Sequence, residues 1–322
     1  MTTTRTISRC DFLLNALAAC AGTVLPLSLS APSPTDSLAP SPRPIEIKRL
    51  APMTHPDDSF KTTVFCMGRP GLYAVSRMVH RFGHIDRNVD YLFVDTHDTE
   101  DTNLYLPEAT RTLLTDLLAE SHLALIVADT ERGIPEALRT QFAEWRRQSS
   151  NMTVTFCLAP AAPANARQPV WTRQPNDVIV NVPATPADTT ALMPYAIFGL
   201  CHPVYYPGLV GLDLDDIKTV LSRTGGIRFG MATAVGENRP ATAMRKALKQ
   251  VYAGIPPSAV QTGLLAFITT NDEDDLSFED LTEAADLLHE ALRPFDNAEY
   301  TWAHRVTPSV KKGEVLVTVY AG

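Results

Sequence analysis

Hydrophobic and polar positions alternate along this chain in two distinct rhythms after residue 61. Thr62–Met67 is a short apolar run that reads as a buried strand and ends at Gly68-Arg-Pro-Gly71, a turn. Leu72, Val75, Met78 and Val79 then recur at helical spacing up to Gly83. Asp90–Asp95 predicts a second buried strand, and Pro107 opens a helix carrying Leu113, Leu114, Leu117 and Leu118. Leu123–Ala128 is a third strand. Pro135–Arg146 is a helix with Leu138, Phe142 and Trp145 on one face, and Thr153–Leu158 and Asp177–Val182 are further strands. Strand alternating with helix in this way predicts a parallel sheet with helices on both faces.

The second rhythm begins after a long apolar stretch, Thr189–Tyr206, which predicts a helix packed between two domains, shortened or kinked by Pro194 and Pro203. A short helix is expected at Leu214–Arg223, a strand at Ile227–Val235 and a helix at Pro240–Tyr252. Leu264–Thr269 follows as a strand. Ser277 with Asp280 three residues on then marks a capped helix start running through Leu292. Glu299–Val306 and Glu314–Tyr320 close the chain as strands. This order implies a smaller α+β two-layer sandwich. The expected organisation is 1–60 leader and linker, 61–188 an N-terminal α/β domain, 189–206 a connecting helix, and 207–322 a C-terminal α+β domain.

Residues 1–60 stand apart. Arg5 and Arg9 precede an apolar run, Phe12–Leu29, followed by small residues, which is the outline of an export signal. The piece Ser8-Arg9-Cys10-Asp11-Phe12-Leu13 has the shape of a twin-arginine leader, with Cys10 in the second arginine's place. The run is about 18 residues, broken by Asn15, Gly22 and Pro26, against the ~20 that span a bilayer. A cleaved signal, a membrane-surface tether and a disordered tail all fit. Prolines among serines from Ala31 to Pro44 read as a semi-extended linker. Membrane contact is expected through residues 1–30 alone, and the location is read as cytoplasmic or membrane-associated, or exported if the signal operates.

Composition narrows the function. The chain's 322 residues suit about two domains. Lys and Arg number 28 against 36 Asp and Glu, a net charge of −8 with no basic stripe, which argues against nucleic-acid binding. Five scattered cysteines (Cys10, Cys20, Cys66, Cys157 and Cys201), with no C-x-x-C pair, read as reduced and mostly buried thiols.

The turn Gly68-Arg-Pro-Gly71 sits where nucleotide-binding sheets place phosphate, yet it fails the dinucleotide pattern. Pro70 and Tyr73 occupy the second and third glycine positions, so Asp95 at the end of the second strand does not indicate an NAD enzyme. The acidic loops His97–Asp101 and Asn271–Asp275 lack the glycine and final glutamate of a calcium loop. His80 and His84 are separated by Gly83, there is no H-E-x-x-H, and no G-x-S-x-G elbow exists. No metal site is expected. Asp213 and Asp216, three positions apart at a helix start, suit an N-cap and first-turn acid as well as a chemical role.

Several segments in order resemble the FtsZ branch of the tubulin superfamily. Pro207-Gly-Leu-Val-Gly-Leu-Asp-Leu-Asp-Asp-Ile-Lys-Thr-Val-Leu is similar to that family's synergy loop and following helix, Pro-Gly-Leu-Ile-Asn-Leu-Asp-Phe-Ala-Asp-Val. Gly230-Met-Ala-Thr-Ala-Val-Gly-Glu-Asn-Arg-Pro-Ala resembles its strand, Gly-Glu-Asp-Arg turn and helix. Leu264-Leu-Ala-Phe-Ile-Thr-Thr and Glu314-Val-Leu-Val-Thr-Val-Tyr-Ala-Gly322 fit its activation domain, and Val64–Met78 and Tyr91-Leu-Phe-Val-Asp-Thr96 its first elements. The likeness covers about residues 61–322. It implies a tubulin/FtsZ-like α/β fold, and it implies that Asp213 and Asp216 act on GTP held by a neighbouring subunit. The remnant nucleotide site would comprise Gly68, Gly71, Asp95, Thr96 and Gly133.

The departures bear on function. The family's Gly-Gly-Gly-Thr-Gly-Thr-Gly signature would follow Leu125-Ile-Val-Ala, where this chain reads Asp129-Thr-Glu-Arg-Gly-Ile-Pro135. Two acids, Asp129 and Glu131, would there face phosphates. The Arg-Pro-Phe loop is Ala159-Pro160-Ala161, and the Pro-Asn-Asp segment is Val182-Pro183-Ala184. The expectation is an FtsZ-like filament or filament-associated protein with a degenerate GTP site and no cofactor. It docks its Asp213/Asp216 end on an FtsZ-type partner or on itself. The alternative is a self-polymerising GTPase that binds GTP or GDP in a rebuilt pocket.

Overall fold

The computed structural model describes residues 43–51, 61–83, 89–96, 104–129, 134–148, 152–158, 177–182, 186–201, 208–221, 226–253, 262–295 and 297–322. Strand β3 (Thr62–Met67) leads into α1 (Gly68–Phe82), and β4 (Val89–Asp95) lies parallel beside β3. On the other side of β3 come β6 (Leu123–Asp129), β7 (Met152–Leu158) and β8 (Asp177–Asn181), all parallel. The order β4-β3-β6-β7-β8 reverses direction between β3 and β6, as a doubly wound sheet does.

The continuous apolar runs have a physical cause, because both faces of this sheet are covered. Val64 and Cys66 of β3, with Leu123, Leu125 and Val127 of β6, face Leu72, Val75, Met78 and Val79 of α1. Their neighbours Phe65, Met67, Ala124, Ile126 and Ala128 face the opposite layer. That layer is α2 (Glu108–Ala119) and α3 (Glu136–Gln148), which supply Leu114, Leu117, Leu118, Leu138, Phe142 and Trp145. Cys66 and Cys201 are buried free thiols, and burial pushes the Cys201 thiol up to about 12.

The second half continues the same sheet. Strand β9 (Ile227–Val235) pairs parallel with β8 through Val180–Ile227 and Asn181–Arg228. Antiparallel β12 (Glu314–Ala321) lies beside β9, then β10 (Gly263–Thr270) and, parallel to it at the edge, β11 (Glu299–Val306). Helices α6 (Arg239–Val251) and α7 (Phe278–Leu292) cover one face through Met244, Ala247, Leu281 and Leu288. Ser277 and Asp280 form the reciprocal cap of α7 expected from their spacing. The α+β layer pair is thus present, but its strands join the first sheet, giving ten strands among the described residues.

Helix α4 (Pro186–Cys201) packs between the halves, with Met193, Ile197 and Phe198 in the same core as α1 and as Phe229, Phe267 and Tyr320. Residues 202–206, expected in this helix, lie outside the described residues. Pro203 has no N–H with which to close a helical bond to the Gly199 carbonyl. Arg305 Nη1, from β11, donates to that carbonyl at 3.0 Å, and Tyr320 Oη donates to the Ala196 carbonyl at 2.6 Å. The second half thereby satisfies backbone groups of the connecting helix.

Two features differ from the sequence expectation. Residues 43–51, expected within the leader and linker, form β1 (Arg43–Pro44) and β2 (Glu46–Ala51). Strand β1 pairs with β5 (Leu104–Tyr105), and β2 runs antiparallel along β4 at the sheet edge. Three charges in six residues hide β2 from a hydrophobicity reading; an edge strand tolerates them, and Arg49 pairs with buried Asp90 at 2.6 Å. Second, Gly68–Gly71 is the first turn of α1 and not a loop before it. The rest of the leader lies outside the described residues, and no described helix is long and apolar enough to cross a membrane.

Candidate functional site

The sheet brings four of the five expected nucleotide-site residues to one edge. Gly68 and Gly71 begin α1 at the carboxyl end of β3, while Asp95 ends β4 and Thr96 follows it. Gly68 has φ +59°, the left-handed conformation that admits glycine at little cost. A Cβ placed on it would lie 2.9 Å from Thr96 Oγ1, so the Thr96 hydroxyl sits beside the helix entrance. Gly71 is buried against β6, and a methyl there would overlap the Val127 carbonyl and press on the Cys66 backbone. Its lack of a side chain is used for helix–strand packing. Pro70 has no N–H to offer an anion. The first turn of α1 contains no acid, and Arg69 is exposed there. Gly133 lies outside the described residues, as do Glu131 and the acidic loop 97–101.

The two aspartates occupy a different end of the molecule. Asp213 is the N-cap of α5 (Leu214–Leu221): the Asp216 N–H donates to Asp213 Oδ1 at 2.8 Å, and the Asp213 N–H donates to Asp216 Oδ2 at 3.2 Å. Each residue is exposed and spends one carboxylate oxygen on this cap. Val220, near the far end of α5, lies against Gly263 at the start of β10, so α5 runs antiparallel to β10. Its aspartates therefore lie where β10 finishes. Val235, which ends β9, and Phe278, which starts α7, emerge at the same end, 73 % and 63 % exposed. Leu209, in the loop before α5, is half-exposed. Asp272, Glu273 and Asp274 add an acidic fringe after β10.

Helix α1 measures the separation of the two ends. Its 15 residues span about 22 Å. Gly68 starts it, and at its finish Ser309 Oγ donates to the Phe82 carbonyl at 2.6 Å while Arg81 Nη1 donates to the Ser309 carbonyl at 3.0 Å. Ser309 follows β11, and Asn271, which follows β10, donates to the adjacent Val310 carbonyl at 2.8 Å. Glycines and aspartates thus mark opposite ends of the subunit.

Contacts between distant segments, which carry no sequence signature, build the aspartate end. Arg239, first residue of α6, reaches Asp275 Oδ1 at 3.3 Å and also donates to its carbonyl. His304 of β11 is buried and touches both the loop before Asp213 and Thr270. Only the Gly-Glu-Asn-Arg turn, Gly236–Arg239, hinted at the first. Among the described residues no group of three or more His, Cys, Asp or Glu side chains can hold a metal ion.

No protein-family model matches the chain. It is 25 % identical over 154 residues to cell division protein FtsZ 1 of Archaeoglobus fulgidus, a match spanning 46 % of this chain and 40 % of that relative's length. Among solved structures, a point mutant of FtsZ from M. jannaschii superposes with a TM-score of 0.61 at 17 % identity, covering 82 % of this chain and 91 % of that one. A helical model of the TubZ-Bt four-stranded filament gives a TM-score of 0.50 at 11 % identity, covering 81 % and 86 %. The structural likenesses establish the tubulin/FtsZ fold, and the match to FtsZ 1 adds sequence kinship. The chain has the tubulin/FtsZ fold and, over 154 residues, is similar in sequence to an FtsZ.

Proposed function

We propose that this chain is an assembly protein that docks its Asp213/Asp216 end on the nucleotide face of an FtsZ-type partner and does not turn over GTP by itself. The observation that carries the reading is the aspartate end: two exposed carboxylates, with Leu209, Val235 and Phe278 exposed at the same end of the sheet. Exposed apolar groups at the same end as fixed acids suit a protein interface. At the other end, among the described residues, the Thr96 hydroxyl lies beside Gly68, Pro70 lacks an N–H and Gly71 is committed to packing, which argues against a phosphate cradle there. A subunit with one working end adds to a filament and offers nothing to the next subunit. The second reading, a GTP-binding polymeriser with a rebuilt pocket, draws its support from exposed Arg69 beside an α1 start free of acids.

The test separates capping from chemistry. Asparagine caps helices about as well as aspartate, so Asp213→Asn with Asp216→Asn is expected to keep stability within about 1 kcal/mol. Wild-type protein is expected to change the GTP turnover and sedimentation of a cognate FtsZ, and the double variant to lose that effect. Equal action by both proteins reduces the aspartates to a helix cap and ends the docking reading, as does an inert wild type.

A further inference from the structure

We infer that His304 is the positioning residue of the aspartate end, its ring fixing the loop that presents Asp213 against the acidic loop after β10. The inference rests on the docking reading for its function, while its geometry stands independently. His304 is 1 % exposed. Its Nδ1 accepts the Leu209 N–H at 3.2 Å, and its backbone N–H donates to the Val210 carbonyl at 2.9 Å. Its Nε2 lies 2.9 Å from Thr270 Oγ1.

The proton positions follow from these partners. Thr270 donates its hydroxyl hydrogen to the Asp272 carbonyl at 2.8 Å, so Thr270 Oγ1 is the acceptor for the ring. Nε2 therefore carries the hydrogen and Nδ1 is bare, which is what an approaching Leu209 N–H requires. Burial favours the neutral ring this arrangement needs, holding the His304 pKa below the usual imidazole range. One side chain thus ties two loops together. Gly208 is part of the fit, since a Cβ there would overlap the His304 carbonyl and lift the loop from β11. A loop held on both its backbone and a ring nitrogen presents Asp213 in one place, and that costs less ordering entropy on docking than a loose loop would.

Two isosteric variants divide the ring's roles. In His304→Asn the amide oxygen replaces Nδ1, and in His304→Gln the amide nitrogen replaces Nε2. Hydrogen exchange on the full chain is expected to show the Leu209 amide opening at least tenfold faster in His304→Gln, with His304→Asn near wild type. The same Gln variant is expected to lose its action on a cognate FtsZ, and the Asn variant to retain it. Nitrogen NMR of the wild-type ring, which needs no substitution, is expected to show hydrogen on Nε2. Hydrogen on Nδ1, or Leu209 exchange indifferent to residue 304, overturns the positioning role whatever the partner does. Faster exchange in His304→Gln with unchanged action on FtsZ overturns the link between loop position and docking.

Discussion

Gly71→Ala is expected to destabilise the fold by about 3 kcal/mol, at the upper end for overpacked sites. The added methyl would overlap the Val127 carbonyl of β6, with the Cys66 backbone just behind it, and neither is the movable tip of a flexible side chain. Relief requires α1 to shift off the sheet, parting Leu72, Val75, Met78 and Val79 from the β3 and β6 residues they cover. At two to four degrees per kcal/mol for a chain of this size, Tm should fall by roughly 6–12 °C. A thermal melt without nucleotide decides the matter. A glycine retained to let phosphate approach would be indifferent to alanine in that melt, whereas a packing glycine would not.

Arg239→Ala should cost about 3 kcal/mol for a different reason. The Arg239 and Asp275 side chains are 19 % and 12 % exposed, so the pair lies largely out of water. Removing the arginine strands the Asp275 carboxylate, and it also removes the donor to the Asp275 carbonyl. The two losses fall at the start of both helices that cover the second half of the sheet. If the stranded charge is the main cost, adding Asp275→Asn to Arg239→Ala restores a large part of the stability. Equal melts for the single and double variants would show that packing of the arginine's stem dominates instead.

How much of this was legible beforehand depends on the range of the interaction. β3, β9 and β11 appear at Thr62–Met67, Ile227–Val235 and Glu299–Val306, as their apolar patterns predicted. The Ser277–Asp280 cap is a three-residue relation that the sequence displays directly. Strand β2 escaped because its partners are supplied by β4, some forty positions on: Arg49 makes sense as a strand residue only once Asp90 is beside it. The same holds for the Thr270–His304 and Arg239–Asp275 pairs, both more than thirty positions apart. Asp213 and Asp216 were visible as a pair, and so was their capping alternative, which the structure realises. Their company, exposed Val235 and Phe278, comes from the parallel course of β9 and β10, which no local pattern reveals.

One measurement tests the central claim most directly: calorimetric titration of GTP and GDP, with Mg²⁺, into the full chain. The full chain is required because removing the leader and linker as a whole would delete β2 and bare the edge of β4. A protein whose Gly71 is committed to packing and whose Pro70 offers no N–H to an anion is predicted to show no binding at millimolar nucleotide. Micromolar binding of either nucleotide would contradict the account and make the chain a GTP-binding polymeriser with a rebuilt pocket.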